Sequence, residues 1–345
     1  MSTTQCNLVA QGFQPGSCTV TTRGRSLPAC EATLRQHNGM PERLIHSVHL
    51  SRPENYLSVY QSGCNMSCKK CHSWRFSQEA TGDWMSPSEI MKHAIAYEKQ
   101  VTLWEPREKA TAWHAHDTCR CCGSCVLYGI RPQGCPGILE PNQIILSPQG
   151  YGPARNILAF TGGDVTCRPD FYGLCTQGVK ERTRLWVLIE TNGHGLTPDN
   201  LNLLKESGVD AFWLDIKAYE SQHHRWLTGC DNVRILRLPE EILARGFVLE
   251  VLSLHIPGLV EAEELGDIAG LLAAVDSTIP FTILAFFPEY RMTDTRPPTV
   301  TEMLQAYKNC KDRGLKKIRL GNLGVFIKSQ KDLEALEAEL DPDAF

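Results

Sequence analysis

Short runs of apolar and β-branched residues recur along most of the chain, and stretches with helical spacing separate several of them. Continuous apolar runs of this length are typical of parallel strands that are covered on both faces. Helical periodicity is found at Asn200–Ser207 and Leu265–Val275, and the sequence Ser-Pro-Ser-Glu from Ser86 predicts the start of another helix. The predicted strands are Asn55–Gln61, Asn156–Phe160, Leu185–Glu190, Asp210–Lys217, Phe247–Leu254, Phe281–Phe286 and Lys316–Leu320.

This alternation of strands and helices predicts a chain of parallel βαβ units. Six or seven such units favour a partial or closed α/β barrel over a sandwich or a helical bundle. We expect residues 1–50 to be an N-terminal extension, residues 51–328 the barrel, and residues 329–345 a C-terminal helix or tail. Residues 99–153 form a cysteine-rich insertion within the barrel.

Composition limits the class of protein. The chain has 345 residues, of which 42% are apolar, and a formal net charge of −4, so there is no basic excess to suggest binding to nucleic acid. No apolar stretch approaches the roughly 20 residues that span a bilayer. Fifteen cysteines without a recognisable signal peptide favour reduced thiols that bind metal over disulfides. We therefore expect a cytoplasmic protein without membrane attachment, in an anaerobic setting.

The loop after the first predicted strand carries Cys64, Cys68 and Cys71 at C-x3-C-x2-C spacing. Three thiolates so close together can hold three corners of a [4Fe–4S] cluster and leave one iron open, although a structural zinc or unrelated buried cysteines are alternatives. The motif resembles that of the radical S-adenosylmethionine (SAM) superfamily. That resemblance implies that the open iron binds the amino and carboxylate groups of SAM, and that an electron from the cluster cleaves SAM to a 5′-deoxyadenosyl radical.

Polar and glycine-rich motifs follow successive predicted strands at one end, where α/β barrels build their active sites. Residues 162–164, Gly-Gly-Asp, resemble the Gly-Gly-Glu motif that holds the amino group of SAM in the superfamily. Asp215 and Lys217 lie two residues apart on a strand, so both can reach one zwitterionic ligand. The resemblance implies that SAM is bound by Gly162, Gly163, Asp164, Glu190, Thr191, Asn192, Asp215, Lys217 and His255.

A narrower resemblance, to the activating enzymes of glycyl-radical enzymes, covers roughly Tyr56 to Phe326. It is carried by Asp-Ile-Lys-Ala-Tyr from residue 215, Trp-Leu-Thr-Gly from 226, His-Ile-Pro-Gly from 255 and Phe-Pro-Glu-Tyr-Arg-Met from 287. Two positions depart from the family pattern. Lys70 stands where an aromatic residue near the adenine is usual, so that Trp74 or His72 would have to replace it, and Phe287 stands where a polar residue often contacts the adenine.

The insertion contains five cysteines within seventeen residues, a density that core packing does not explain. Their spacing predicts a second metal site, either a ferredoxin-type cluster or a single tetrahedral iron or zinc. His114 and His116 are candidate additional ligands, although such a pair is more often part of a solvated loop. The predicted ligands are Cys119, Cys122, Cys125 and Cys135, with Cys121 as the alternative.

Other cysteines are isolated in the sequence. Cys6, Cys18 and Cys30 are spaced too widely to form a ligand set by themselves, and isolated cysteines are commonly small apolar core residues. Cys167 and Tyr290 are candidate catalytic residues because they lie close to the loops at the predicted barrel mouth. A buried structural thiol is the commoner role for a residue such as Cys167.

The resemblance implies hydrogen abstraction from an sp3 carbon of a protein or peptide, with a reductant such as ferredoxin or flavodoxin as partner. The favoured specific hypothesis is cobalamin-assisted C-methylation, as in the methylases that modify methyl-coenzyme M reductase, because the insertion lies later in the chain than that of most activating enzymes and supplies one cysteine quartet instead of two. The other is activation of a glycyl-radical enzyme, as by pyruvate formate-lyase activase. An iron–sulfur electron-transfer protein is the non-enzyme alternative, which the predicted SAM-binding residues disfavour.

Overall fold

The computed structural model describes residues 6–22, 24–341 and residue 344, so the ends of the predicted extension and tail lie outside the described residues. The strands are β1 (Thr19–Thr22), β2 (Arg25–Pro28), β3 (Leu34–His37), β4 (Met40–Leu50), β5 (Leu57–Gln61), β6 (Asp83–Met85), β7 (Ile145–Ser147), β8 (Gly150–Gly152), β9 (Ile157–Gly162), β10 (Trp186–Thr191), β11 (Ala211–Asp215), β12 (Val248–His255), β13 (Phe281–Ala285) and β14 (Ile318–Gly321).

Helices connect most of the parallel strands. They are α1 (Asn7–Ala10), α2 (Ala29–Thr33), α3 (Trp74–Ser77), α4 (Pro87–Glu98), α5 (Ala115–Thr118), α6 (Ser124–Leu127), α7 (Asp170–Arg182), α8 (Pro198–Glu206), α9 (Ser221–Thr228), α10 (Leu238–Ala244), α11 (Ala262–Val275), α12 (Val300–Asp312), α13 (Leu323–Phe326) and α14 (Gln330–Glu339), with 3-10 turns at Arg107–Lys109, Pro141–Gln143 and Ile235–Arg237. None of these helices is long and apolar enough to cross a bilayer.

The main sheet confirms the α/β prediction. Strands β5, β9, β10, β11, β12, β13 and β14 are parallel neighbours in that order. Strand β4 pairs antiparallel with β5, and β3 and β6 both pair with β4. The order runs from β14 to β3 without closing, so the described sheet is a partial barrel rather than a closed one.

The predicted strands agree with the structure to within a few residues at their ends, and the predicted helix at Ser86 begins with a capping box between Ser86 and Glu89. The N-terminal region differs more. Strands β3 and β4 lie within the predicted extension but belong to the main sheet, because β4 covers the edge of β5 that would otherwise expose unpaired backbone groups.

Residues on the parallel strands alternate between two environments. Leu158 and Phe160 of β9 belong to the large core between the sheet and its helices. Ile157 and Ala159 face the other way and form a second, smaller cluster inside the barrel, to which the insertion contributes Ala110. The insertion therefore closes the amino-terminal end of the barrel and leaves the opposite end for the site.

Arg155, just before β9, fastens the insertion to the barrel. Its side chain is fully buried and contacts the Glu105 carboxylate at 2.5 Å. It also donates to the backbone oxygens of Glu54, Lys109 and Thr111. One guanidinium thus satisfies acceptors on both sides of the junction, as a buried charge requires.

We expect Arg155→Met to lower the free energy of unfolding by about 3–5 kcal/mol, because it leaves the Glu105 carboxylate buried without its cation. Urea unfolding of matched metal-loaded preparations would measure this. Arg184→Met is the control, since Arg184 is 78% exposed and contacts Glu98 at 3.7 Å. That exposed pair should change stability by about 1 kcal/mol or less. Equal effects of the two substitutions would contradict the proposed role of Arg155.

Candidate active site

A cavity of about 400 Å³ opens at the carboxyl ends of the parallel strands. Most of the predicted site residues reach it from different loops, whereas Gly163 and His255 do not line it. The cavity is lined by Cys64, Cys68, Lys70, Cys71, His72, Ser73, Ser77, Thr161, Gly162, Asp164, Glu190, Thr191, Asn192, Trp213, Asp215, Lys217, Leu252, Leu254, Leu284, Phe287 and Asn322.

The cysteine loop rests directly on the end of β9. A Cβ added to Gly163 would lie 2.2 Å from the backbone oxygen of Gly63 and 2.7 Å from that of Gln61. Gly162 has a φ of +86°, and a Cβ there would lie 2.6 Å from the Phe76 ring. Glycine is therefore required at both positions, because any side chain would push the cysteine loop away from the sheet.

The three thiols of the loop face the cavity in a setting that suits a metal cluster. Burial, together with the charge of Asp164, raises the pKa of Cys64 to about 12. Burial likewise raises the pKa of Cys68 well above its usual value, although the cation of Lys217 opposes this. Such thiols stay protonated until a metal replaces their protons, and the three together match the donor set of a site-open [4Fe–4S] cluster.

Asp164 links two loops and has no free lone-pair site. Its Oδ1 accepts from the backbone N–H and the hydroxyl of Thr166, both at 2.8 Å. Its Oδ2 accepts from the Thr191 hydroxyl at 2.7 Å and the Asn192 N–H at 3.0 Å. Four donors fill the capacity of a carboxylate. The contact predicted between Asp164 and an ammonium group stays a prediction, and it requires one of these donors to move.

Asp215 and Lys217 form an ion pair at the end of β11, and both side chains are half-buried. Burial disfavours the charge of Lys217, but Asp215 more than compensates, so the pKa of Lys217 is raised. The Oδ1 atom of Asp215 is buried without a hydrogen-bond partner. An unpaired acceptor beside a cation, both on the cavity wall, fits a ligand that carries an ammonium and a carboxylate.

Glu190 lies deeper in the barrel and still lines the cavity. Its oxygens lie 2.9 Å from the Tyr56 hydroxyl and 2.5 Å from the Thr161 hydroxyl. Removal from bulk water raises the pKa of Glu190 to about 8. Much of this side chain is consequently neutral at pH 7, which suits an uncharged part of a ligand better than an ammonium group.

Lys70 occupies the position where the sequence comparison led us to expect an aromatic residue. Its ammonium contacts Glu289 at 3.0 Å and lies 3.5 Å from the centroid of the Phe287 ring. His72 contacts the same Glu289 carboxylate at 3.1 Å. Sequence reasoning missed Glu289, although it stands within the Phe-Pro-Glu-Tyr motif that follows β13.

Of the two predicted substitutes for that aromatic residue, His72 lines the cavity and Trp74 does not. Trp74 instead stacks on Tyr290, with ring centroids 5.1 Å apart. Neither catalytic candidate, Cys167 or Tyr290, lines the cavity. The structure therefore offers no support for a catalytic role of either side chain.

The insertion places its cysteines at the surface near the amino-terminal end of the barrel. Cys119 accepts from the backbone N–H of Cys121 at 3.3 Å, and Cys121 donates to Asn55 at 3.3 Å. Cys122 is exposed, while Cys125 and Cys135 are partly exposed. The pair formed by Cys119 and Cys121 makes Cys121 a stronger candidate ligand than its spacing suggests.

The two candidate histidines of the insertion differ in environment. His114 contacts Asp117 at 2.6 Å, whereas burial lowers the pKa of His116 to about 4. Within the described residues, no three His, Cys, Asp or Glu side chains are arranged to hold a single metal ion. Among the alternatives for the insertion, this disfavours a preformed mononuclear site, and ligation by these residues stays a prediction.

The sequence model of the radical SAM superfamily matches residues 119–272. Over this segment the chain is similar to the radical SAM superfamily. The matched segment contains the Gly-Gly-Asp and Asp-Ile-Lys motifs and begins after the cysteine loop at residues 64–71. The family implies a [4Fe–4S] cluster and SAM, and the thiols and the Asp215–Lys217 pair fit both.

A protein of Methanocaldococcus jannaschii, named as a candidate glycyl-radical enzyme activating enzyme, is 26% identical over 172 residues. The match covers 48% of this chain and 62% of that relative, which is less than two thirds of its length. A domain of pyruvate-formate lyase-activating enzyme from Bacteroides vulgatus has a TM-score of 0.41 at 17% identity, covering 48% of this chain and 98% of the domain. SuiB of Streptococcus suis has a TM-score of 0.45 at 11% identity, covering 74% of this chain and 44% of SuiB.

Gly163→Ala should weaken SAM binding by roughly tenfold or more, about 1.4 kcal/mol, because the new Cβ displaces the cysteine loop. Anaerobic equilibrium dialysis would measure SAM affinity, and iron analysis would show whether the cluster is retained. Gly324→Ala is the control, since a Cβ there meets nothing within 4 Å. Unchanged affinity in Gly163→Ala would show that the loop tolerates the displacement.

Proposed function

We propose that this radical SAM enzyme cleaves SAM reductively and abstracts a hydrogen atom from an sp3 carbon of a protein or peptide, most specifically the α-hydrogen of a glycine. The observation that supports it best is the common cavity of Cys64, Cys68 and Cys71 with the Asp215–Lys217 pair. A [4Fe–4S] cluster held by these thiols would supply the single electron that cleaves SAM to methionine and a 5′-deoxyadenosyl radical. The electron comes from an external reductant of the ferredoxin or flavodoxin class.

Charged residues line one part of the cavity and apolar residues line another. Lys217 is placed to bind the carboxylate of SAM and the free oxygen of Asp215 to accept from its ammonium group. Leu252, Leu254 and Leu284 give the same cavity an apolar wall that suits the nucleoside part and excludes water. Such exclusion protects a carbon radical from side reactions.

His72 and Glu289 form a partly exposed rim beside this cavity, and Glu289 also pairs with Lys70, whose side chain is only 4% exposed. A second substrate would enter at this rim. The His72 side chain is 80% exposed, so the rim is open to solvent and can meet a large molecule. An extended peptide can enter an open site of this kind more easily than it can enter a closed pocket. The name of the M. jannaschii relative further supports glycine in a protein as the target.

Protein C-methylation assisted by cobalamin is the second candidate, and the cysteine insertion is the observation that favours it. The insertion carries one group of five cysteines, Cys119 to Cys135, rather than two separate quartets. The activating enzymes that this chain resembles usually carry two quartets placed closer to the first cluster. We rank methylation second because the name of the M. jannaschii relative favours activation.

Reconstituted protein reduced with dithionite should convert SAM to 5′-deoxyadenosine, and Cys68→Ala should abolish this. Lys217→Met should keep the iron but raise the KM for SAM roughly tenfold, as expected for the loss of one charge-assisted contact. Chromatography of the products would measure both effects. Lys316→Met, an exposed substitution away from the cavity, is the control. If no 5′-deoxyadenosine forms even with candidate peptides present, the enzyme proposal is wrong.

Glycine activation and methylation differ in the fate of the substrate carbon radical, which persists in the first reaction and gains a methyl group in the second. With a peptide that contains α-deuterated glycine, activation should place deuterium in 5′-deoxyadenosine and leave the peptide without an added methyl group. Mass spectrometry of both products would show this. A methylated peptide, together with a corrinoid retained after anaerobic purification, would instead establish the second candidate.

A further inference from the structure

Four cysteines that are far apart in the sequence meet beside the barrel. Cys6 precedes α1, and the next residue, Asn7, donates from its side chain to the backbone oxygen of Cys167 at 2.7 Å. Cys18 precedes β1, and its backbone oxygen accepts from the N–H of Ala29, the neighbour of Cys30, at 2.7 Å. These hydrogen bonds bring the chain together at two junctions, each of which joins two segments that carry a cysteine.

The two junctions also lie close to each other, because Cys30 and Arg168, the neighbour of Cys167, line one cavity. Burial raises the pKa of Cys30, and the charges of Cys18 and Cys6 add to this shift. Burial raises the pKa of Cys167 well above its usual value, with further contributions from Cys30, Cys18 and Cys6. Cys30 and Cys167 therefore stay protonated until a metal replaces their protons.

Core packing accounts for only part of this set, because Cys167 belongs to the core and Cys6 and Cys18 pack against it, whereas Cys30 does not. Cys6, Cys18 and Cys30 are all partly exposed, whereas Cys167 is buried, as are the cysteines that we assign to no group (Cys175, Cys230 and Cys310). Two of those three have local partners, since Cys310 donates to the Leu265 backbone oxygen and Cys230 to the Ser17 hydroxyl. Partial exposure of neighbouring thiols is typical of ligands rather than of small apolar residues.

We propose that Cys6, Cys18, Cys30 and Cys167 bind an iron–sulfur cluster separate from those of the cysteine loop and the insertion. Four thiolates are the usual ligand set of a [4Fe–4S] or [2Fe–2S] cluster. Among the described residues, no three His, Cys, Asp or Glu side chains are arranged to hold a single metal ion. This does not count against a cluster, because Cys64, Cys68 and Cys71 are not arranged to hold a single ion either. A cluster spreads its ligands more widely than one ion does.

The surroundings suit a redox role. The cation of Arg168 opposes the rise in the pKa of Cys30 and would offset part of the negative charge of a thiolate-bound cluster. Ser17, next to Cys18, accepts from the N–H of Ser67, next to Cys68, at 2.9 Å. The site therefore adjoins the radical SAM loop on one side and solvent on the other. It can take one electron from an external donor and pass one electron to the radical SAM cluster.

The test measures iron and sulfide in a chain that lacks the radical SAM cluster. In the background Cys64→Ala, Cys68→Ala, Cys71→Ala, adding Cys18→Ala and Cys30→Ala should remove about four iron atoms and about four sulfides per chain after anaerobic reconstitution, or about two of each for a smaller cluster. Mössbauer spectroscopy should show the loss of the matching cluster signal. Because the background cannot cleave SAM, the result does not depend on the proposed function.

Cys175→Ala with Cys310→Ala, in the same background, is the matched control, and it should leave iron and sulfide unchanged. Cys6→Ser alone, close to the described start of the chain, is the milder variant if the double substitution prevents folding, and it should also lower both. Iron and sulfide equal to the background in folded variants would overturn the proposal. The loss of about one iron without sulfide would overturn it too, in favour of a mononuclear site.

Discussion

The whole site depends on the close approach of the cysteine loop to the end of β9. Gly163 lets the two backbones meet at a distance that no side chain would permit, because a Cβ there would lie 2.2 Å from the backbone oxygen of Gly63. Asp164 then ties the β9 loop to the β10 loop through Thr191 and Asn192. The loops that follow β5, β9 and β10 are thereby held in fixed positions relative to one another. A radical reaction requires such fixed positions of the residues that bind its cofactors.

Charged and neutral side chains lie in different parts of the cavity. Asp215 and Lys217 form an ion pair at the carboxyl end of β11, where an amino acid group can bind. Glu190 lies deeper and carries a raised pKa, so the lower wall is closer to neutral. Lys70 and Glu289 neutralise each other at the rim. The gradient from ionic rim to neutral floor suits a ligand with a zwitterionic end and an uncharged nucleoside.

The cysteines sort into groups by location rather than by spacing alone. One group faces the cavity, a second lies in the insertion at the opposite end of the barrel, and a third joins the N-terminal segment to the loop after β9. The insertion is itself anchored through the buried Arg155 and Glu105, so a metal bound by its cysteines would be held in a fixed position relative to the barrel. Electron transfer between clusters bound at these sites would be favoured by such fixed positions, because its rate depends on the distance between the clusters.

The sequence by itself determined the parallel strands, the radical SAM loop and the acidic and basic residues at the strand ends. These features are local: periodicity and spacing are read within one loop or one strand. Only the tertiary structure decided that Asp164 is filled by four protein donors, that β4 belongs to the sheet, and that Lys70 pairs with Glu289, which is 219 residues away. It also brought Cys6, Cys18 and Cys30 to Cys167. Contacts between distant segments depend on how the barrel curves and which loops meet, and no local pattern records that.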